Sequence, residues 1–504
     1  MGKQHLDSKI QARGRSFFAS ISGEAPSIFN KSWWTGKVMD WAMGHENFKV
    51  QLFRFVDVLP YLTTGEALSR HIEEYFAAQD QELPTVFKWG AKGAGLSGAL
   101  TAKVFAKTIR ANIESMAKQF IIGENSREAV KTLNRLRKDD FAFTVDILGE
   151  ATLSKEEAEQ YQIAYLDLLG HLEQEQKRWS GLGGHGGTLD WGHAPMVNLS
   201  VKPSSLYSQV KPADFDGSVR AICARLSPIV KRAIDMGAFV CIDMEQFMYK
   251  DITLEVFRRL RSAPEFRTYP YLGVVLQAYL RQTPRDLEDL LRWARGEGLP
   301  ISIRLVKGAY WDYETVIARQ HGWEIPVYTV KAESDAAFER LAGTILANHD
   351  ICHLACGSHN IRSISAVLET AQALGVPEER YEFQVLYGMA EPVRLGLLKV
   401  AGRVRLYCPY GKLLPGMAYL VRRLLENTAN ESFLRQSFVE GADLELLLAN
   451  PLDLLAGQQA RPLAPPAGEV SEGRGPFKNE ASVDFTKVEV RGAFPGAMAE
   501  VRKR

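Results

Sequence analysis

FAFTVDIL (141–148), then SKEEAEQYQIAYLDLLGHLEQEQKRW (154–179), then MVNLSVK (196–202) sets a rhythm: a strand-like run, a helix-sized segment, another strand-like run. AFVCIDM (238–244), YLGVVLQ (271–277), ISIRLVK (301–307), ICHLACGS (351–358), YEFQVLYG (381–388) and RVRLYCP (403–409) continue it, with segments such as PRDLEDLLRWARGEG (284–298) between. Eight β-branched or apolar runs alternating with helices predict an α/β fold, a (β/α)8 TIM-like barrel, which typically takes about 250 residues. A doubly wound sheet is the structural alternative. It usually needs fewer strands and a phosphate-binding turn near the first of them. GLGGHG (181–186) has the G-x-G-x-x-G spacing, but a helix precedes it and GTLDWGHAP follows, so it reads as a flexible loop.

Outside this rhythm the texture differs. Residues 1–140 read as an all-helical arm and α-domain, from helical spacing in HENFKVQLFRFVDVLPYL, TTGEALSRHIEEYFAAQ and SREAVKTLNRLRKDD. WGAKGAGLSGAL breaks that pattern, and Trp33 and Trp34 read as core or interface. The barrel is assigned to 141–438. Residues 439–504 read as a C-terminal helix, a Pro/Gly/Ala-rich linker and the start of a following unit.

The 504-residue chain carries a formal net charge of +1, which gives no electrostatic reason to expect nucleic acid. No apolar run approaches the roughly 18 residues of a spanning helix, and the polar N-terminus lacks a signal-peptide core. Five scattered cysteines read as reduced thiols in the cytoplasm.

In such barrels, polar residues at the C-terminal ends of strands face the ligand. The eight runs offer Asp146 and Glu150, Lys202, Asp243 and Glu245, Gln277, Arg304 and Lys307, Ser358 and His359, Gln384, and Tyr407. This ring of mixed charge suits a ligand with an anionic part and a small amine or polar centre, with Leu305, Tyr310, Trp311, Leu386, Tyr407 and Tyr419 as apolar walls. PGMAYLVRRLLENT (415–428) reads as an amphipathic helix after the last run. Tyr419, Arg422, Arg423 and Glu426 share its polar face, so an aromatic wall adjoins a guanidinium fork. Cys352, His353, Cys356 and His359 lie close in sequence, but strand alternation separates them, and no metal site is expected.

VKPSSLY (201–207), VCIDMEQ (240–246), RLVKGAYWD (304–312), GSHN (357–360), EFQVLYGM (382–389) and AYLVRRLLEN (418–427) together resemble the proline dehydrogenase domain of bacterial proline utilization A proteins. The likeness covers roughly 141–438, and the arm and the FKNE-type linker look similar too. A ribbon-helix-helix DNA-binding module and the aldehyde dehydrogenase half are not apparent, so the chain looks like a fragment or truncated form.

The resemblance implies oxidation of L-proline to Δ1-pyrroline-5-carboxylate, with FAD accepting the hydride and a quinone the electrons. It implies that Lys202, Arg422 and Arg423 hold the proline carboxylate, that Asp243 and Arg304 are active-site charges, and that Glu150 pairs with Arg422 over the substrate. Leu305, Tyr310, Tyr407 and Tyr419 match the pocket walls. The flavin contacts it implies are Met244, Gln277, Arg304, Val306, Lys307, Gly308, Ala309, Trp311, Lys331, Ser358, His359 and Gln384. It also implies a cytoplasmic protein, with peripheral association at the inner membrane left open. Two other classes compete: a Schiff-base lyase with Lys202 as nucleophile, and a non-catalytic scaffold built on the helical arm. The lyase predicts a colourless protein, the scaffold an incomplete ring.

Overall fold

The computed structural model describes residues 3–21, 64–76, 118–149, 151–184, 186–412, 444–457 and 480–503, with Gln51, Arg54, Val58, Leu62, Tyr419 and Arg423. Eight parallel strands close into a barrel: β1 (Ala142–Ile147), β2 (Asn198–Val201), β3 (Phe239–Ile242), β4 (Leu272–Gln277), β5 (Ile301–Val306), β6 (Cys352–Gly357), β7 (Tyr381–Leu386) and β8 (Val404–Tyr410). Each pairs with its sequence neighbour, and β8 pairs with β1 to close the ring, Ala142 opposite Arg405. The expected α/β barrel is therefore the fold.

The strand runs read as nearly continuous apolar sequence because both faces are covered. On β1, Phe143, Val145 and Ile147 pack outward into the apolar layer. Thr144 and Asp146 alternate with them and meet Ser200 and Lys202 of the β2 segment. The outer layer is closed by helices, chiefly α1 (Lys155–Gln176), α2 (Phe215–Met236), α3 (Lys250–Ser262), α4 (Thr283–Glu297), α5 (Trp311–His321), α6 (Lys331–Ala347), α7 (Ile361–Leu374) and α8 (Glu391–Ala401). Their ends follow local rules. Ser154 caps α1 by accepting from the Glu157 N–H (3.1 Å), and Gly237, Gly298 and Gly375 end α2, α4 and α7 in the left-handed conformation.

Before the barrel, helix Lys3–Ile21 lies against α7 and α8. Phe17 and Ile21 are buried there, and Asp7 pairs with Arg362 (2.7 Å). Helix Gly65–Phe76 is described within the expected arm. Trp33, Trp34, WGAKGAGLSGAL and most of the 415–428 helix lie outside the described residues. Helix Val488–Lys503 follows the linker region, and Arg491 reaches Asp251 of α3 (3.3 Å).

GLGGHG is not a dinucleotide turn, since helix α1 precedes it and a two-stranded ribbon (Leu189–Asp190 with Ala194–Pro195) follows. It is braced rather than loose. Leu182 donates to Asp190 (3.1 Å), Trp191 N–H to Leu182 O (2.8 Å), and Arg137 clamps Asp190 through two bonds (2.7 and 3.0 Å). Leu182 and Trp191 pack on Ala142 and plug the N-terminal end of the barrel.

Above this plug the lumen is polar. A cavity of about 270 Å³ occupies its N-terminal half, lined by Asn198, Ser302, Arg304, His353, Glu382 and Arg405 among others. Arg405 and Glu382 form a buried bidentate pair (2.8 and 3.0 Å), and Gln384 also donates to Glu382 (2.6 Å). Burial works to raise the Glu382 pKa, but the Arg405 charge and these hydrogen bonds outweigh it and hold the carboxyl at about 2.

The unfolded carboxyl titrates near pH 4.3. The Glu382 contribution is therefore complete above about pH 4.3 and is lost as pH falls toward about 2. Glu382→Gln leaves the Arg405 charge buried without its counter-charge and should cost about 3–5 kcal/mol at neutral pH. Urea unfolding of parent and variant across pH checks this: the gap should be full at neutral pH and close through that acid window.

Candidate active site

The C-terminal half of the lumen gathers charges from strands that are distant in sequence. Lys202, the residue after β2, bonds the Asp146 carboxylate of β1 and lies 3.9 Å from Asp243, just past β3. Arg304 of β5 donates to Asp243 Oδ1 (2.7 Å) and to Ser200 Oγ (2.9 Å). The Tyr407 hydroxyl of β8 donates to Asp243 Oδ2 (2.8 Å), and the Arg304 guanidinium sits 5.3 Å from the Tyr407 ring centre. Asp243 thus joins two cations and a phenol. Lys202, Asp146, Asp243 and Arg304 are all buried.

Such a cluster is stable only because each charge meets its opposite at hydrogen-bond distance. Burial raises the Asp146 carboxyl to about 6; Lys202 opposes the rise and Asp243 adds to it. Burial also raises the Tyr407 phenol well above its ordinary value, with Asp146 and Asp243 adding to the effect. Tyr407 therefore stays a neutral donor at any ordinary pH.

Tyr419 and Arg423 are buried beside this cluster, the guanidinium 5.1 Å from the Tyr419 ring centre. Tyr419 is also among the groups acting on Tyr407. Lys202 and Arg304 are met by Asp146 and Asp243, and Arg423 lies over the Tyr419 ring. Cations set among aromatic walls suit a small anionic group. Arg422 and Glu150 lie outside the described residues.

The remaining expected residues occupy the rim. Gln277 ends β4, buried, with Nε2 donating to the Met244 and Glu245 carbonyls (3.2 Å each). Gly308 has φ of 134°, and the Tyr279 ring fills the space a side chain would need. Ala309 is exposed and Tyr310 buried at the start of α5. Trp311 is exposed, its indole N–H donating to Tyr328 O (2.9 Å). Lys307 and Lys331 both bind Asp335 near the N-terminus of α6. Burial works to raise Asp335, yet the two ammonium groups hold it at about 2.

At the β6 end, Ser358 Oγ accepts from the Asn360 N–H (3.1 Å). His359 Nε2 accepts from the Leu386 N–H (3.0 Å), so a neutral ring carries its proton on Nδ1. Val306 packs against the barrel's apolar cluster, and Leu305, fully buried, belongs to that cluster and is not among the hydrogen-bonded groups. Cys352 and Cys356 are buried thiols, both pushed up to about 12 by burial, while His353 lines the lower lumen.

Sequence reading overlooked Ser200, which joins Arg304 to Thr144, and Ser204, which binds Glu245. Ser200 shares the strand face of Lys202, two residues on, so alternation alone carried the signal.

A dinucleotide-sized flavin can be tested against this rim. Among the described residues, the buried Oε1 atoms of Gln277 and Gln384 have no hydrogen-bond partner. Lys307 and Lys331 share Asp335 at the head of a long helix, where ammonium groups and helix N–H groups come together. Trp311 offers an exposed ring beside them. Acceptors, a phosphate-suited end and an aromatic face fit FAD.

Residues 129–436 match the proline dehydrogenase family, and residues 7–120 match the proline utilization A N-terminal domain. The chain is 30% identical over 404 residues to the bifunctional protein PutA of Escherichia coli, covering 78% of this chain and 28% of the relative. It is 29% identical over 334 residues to the proline dehydrogenase of Deinococcus radiodurans, covering 66% of this chain and 93% of the relative. The crystal structure of proline utilization A from Bdellovibrio bacteriovorus inactivated by N-propargylglycine superposes with a TM-score of 0.85 at 40% identity, over 99% of this chain and 49% of that one. The chain therefore spans under a third of the bifunctional relative's length and about half of the solved structure.

Asp243 and Arg304 should behave as a unit. Asp243→Leu or Arg304→Met alone strands a buried charge, at a cost of about 3–5 kcal/mol. The double variant should cost less than the sum of the two by about 0.5–3 kcal/mol. Urea unfolding of the four proteins measures the coupling, and additive costs would contradict the shared-carboxylate geometry.

Proposed function

The chain belongs to the proline dehydrogenase family, and on that premise we propose that it oxidises L-proline to Δ1-pyrroline-5-carboxylate, the first step of proline breakdown to glutamate. The observation that supports the reading is the buried cluster of Lys202, Arg304, Asp146, Asp243 and Tyr407 at the strand ends, with Arg423 over Tyr419 at its side. A small amino acid offers few handles, and its carboxylate is the strongest of them. Lys202 and Arg423 hold that carboxylate, joined by Arg422, the residue before Arg423 in sequence. Tyr310, Tyr407, Tyr419 and Leu305 wall the apolar ring, and Glu150 pairs with Arg422 over it.

FAD is the cofactor in this reading, and the chemistry it supplies when bound is acceptance of a hydride. Gln277, Gln384, Met244, Val306, Gly308, Ala309, Ser358 and His359 line its reactive end, and Lys307, Lys331 and Trp311 its phosphate and aromatic ends. Arg304 keeps a fixed positive charge on the cofactor side, which favours the electron-rich product of hydride transfer. Holding substrate and acceptor in register is the protein's main contribution. A quinone takes the electrons onward. No helix among the described residues is long and apolar enough to cross a membrane. We place the protein in the cytoplasm, meeting a membrane quinone from the surface, with an aldehyde dehydrogenase half following in the longer relatives' arrangement.

The lyase alternative needs Lys202 as a neutral nucleophile. Asp146 and Asp243 instead surround its ammonium group, an arrangement for holding charge.

The purified protein should be yellow, or turn yellow on adding FAD, and L-proline should bleach it without oxygen. A protein that stays colourless with FAD would defeat the reading. Lys202→Met and Arg423→Met should each raise KM for proline about 30-fold or more, the effect of about 2 kcal/mol or more for truncating one partner of a buried charge pair. Flavin should stay bound, and reduction should survive, slowed, at very high proline. Borohydride trapping of substrate on Lys202 during turnover would instead favour the lyase.

A further inference from the structure

Glu245 follows the active-site Asp243 by two residues and is 1% exposed, and its carboxylate binds one turn through both oxygens. Ser204 N–H donates to Glu245 Oε2 (2.9 Å), and Ser204 Oγ–H donates to Oε1. Ser204 lies in the one-turn helix Pro203–Leu206 that begins directly after Lys202. Within that turn, Ser205 N–H and Oγ–H both donate to the Lys202 carbonyl (3.1 and 2.7 Å). The Glu245 carboxylate thus anchors the turn that aims the Lys202 side chain.

The same serine reaches the next loop. Ser204 Oγ accepts from the Ala151 N–H (2.8 Å), while the Ser204 carbonyl accepts from Thr152 N–H (3.2 Å) and Thr152 Oγ (3.1 Å). Ala151 holds φ of 53°, a left-handed conformation that an alanine adopts only under restraint. On the other side, the Glu245 and Met244 carbonyls accept from the Gln277 amide (3.2 Å each). One chain of bonds therefore runs from the turn after β1, through Ser204 and Glu245, to Gln277 at the end of β4.

We propose that Glu245 is the positioning residue of this rim, setting Lys202 and Gln277 relative to each other through Ser204 and through its own backbone. The functional meaning rests on the reading above, in which Lys202 holds the substrate carboxylate and Gln277 the cofactor. Glu245 acts through both. Its carboxylate is buried, and such an anion is retained only where its hydrogen bonds are kept. The chain registers two strand ends across the rim.

The test uses the whole chain with Glu245→Ala, Ser204→Ala and the conservative Ser204→Thr, which keeps both donors. Glu245→Ala and Ser204→Ala should raise KM for proline by roughly tenfold to a hundredfold, the loss that a clamp displaced by about 1 Å produces. Maximal flavin reduction should fall several-fold less than KM rises. The visible spectrum of the bound flavin should shift as Gln277 moves, and Ser204→Thr should restore both readouts. Hydrogen exchange reads the same linkage without activity: amides of 149–153, 203–206 and 243–246 should lose protection together in both alanine variants, while β5 to β8 keep theirs. A lower melting temperature with parental KM and spectrum, or exchange faster at one segment only, would overturn the proposal. A parent that binds no flavin defeats the proposed function instead and leaves the exchange result to decide the linkage.

Discussion

The structure depends on one constraint: charges buried in a closed parallel barrel must be neutralised across strands, because no solvent is there to do it. Asp243 meets this by accepting from Arg304 and from Tyr407 while Lys202 stands nearby. Each of these bonds joins strands or strand ends far apart in sequence, so a functional cluster also fixes how the strand ends sit around the barrel. A buried ion pair adds little to stability over a well-packed apolar alternative. Its retention in the lumen is better understood as the cost of a site that holds cations ready for a small anion.

The two halves of the lumen divide that work. Near the plugged end, Glu382 and Arg405 neutralise each other in a closed bidentate pair, and Gln384 completes the carboxylate. At the other end, Lys202 and Arg304 share Asp146 and Asp243 with the Tyr407 hydroxyl, and Arg423 lies over Tyr419 at the side. A closed pair at one end and a shared network at the other match the general division of such barrels into a stabilising face and a reactive face.

The barrel was legible because each strand run alternates with a helix-length segment, and the ring was legible because strand ends in such a fold converge. Lys202, Asp243 and Arg304 could be picked by position alone. Their pairing could not be picked, since nothing in the sequence says that Asp146 faces Lys202 or that Arg304 reaches Ser200; those bonds arise from strand stagger in a closed ring. GLGGHG misled toward looseness because its restraint is non-local: Arg137, from the helix before the barrel, holds Asp190 and through it Leu182. Leu305 is picked by a motif position, and the folded chain buries it in the apolar cluster together with Tyr419.

The rim follows a different logic from the lumen. Its turns are too short to pack a core of their own, and Ala151 even holds a conformation that costs an alanine about 1–2 kcal/mol. Hydrogen bonds to Ser204 offset that cost, and Glu245 in turn fixes Ser204. A loop braced by a carboxylate is stiff only while that carboxylate keeps its donors, whereas a loop braced by apolar packing yields gradually. On our proposal, the bond between Ser204 and Glu245 keeps the rim between β1 and β4 in register. That is the property a site needs when a substrate as small as an amino acid must be held to within a fraction of an ångström by groups from three different strands.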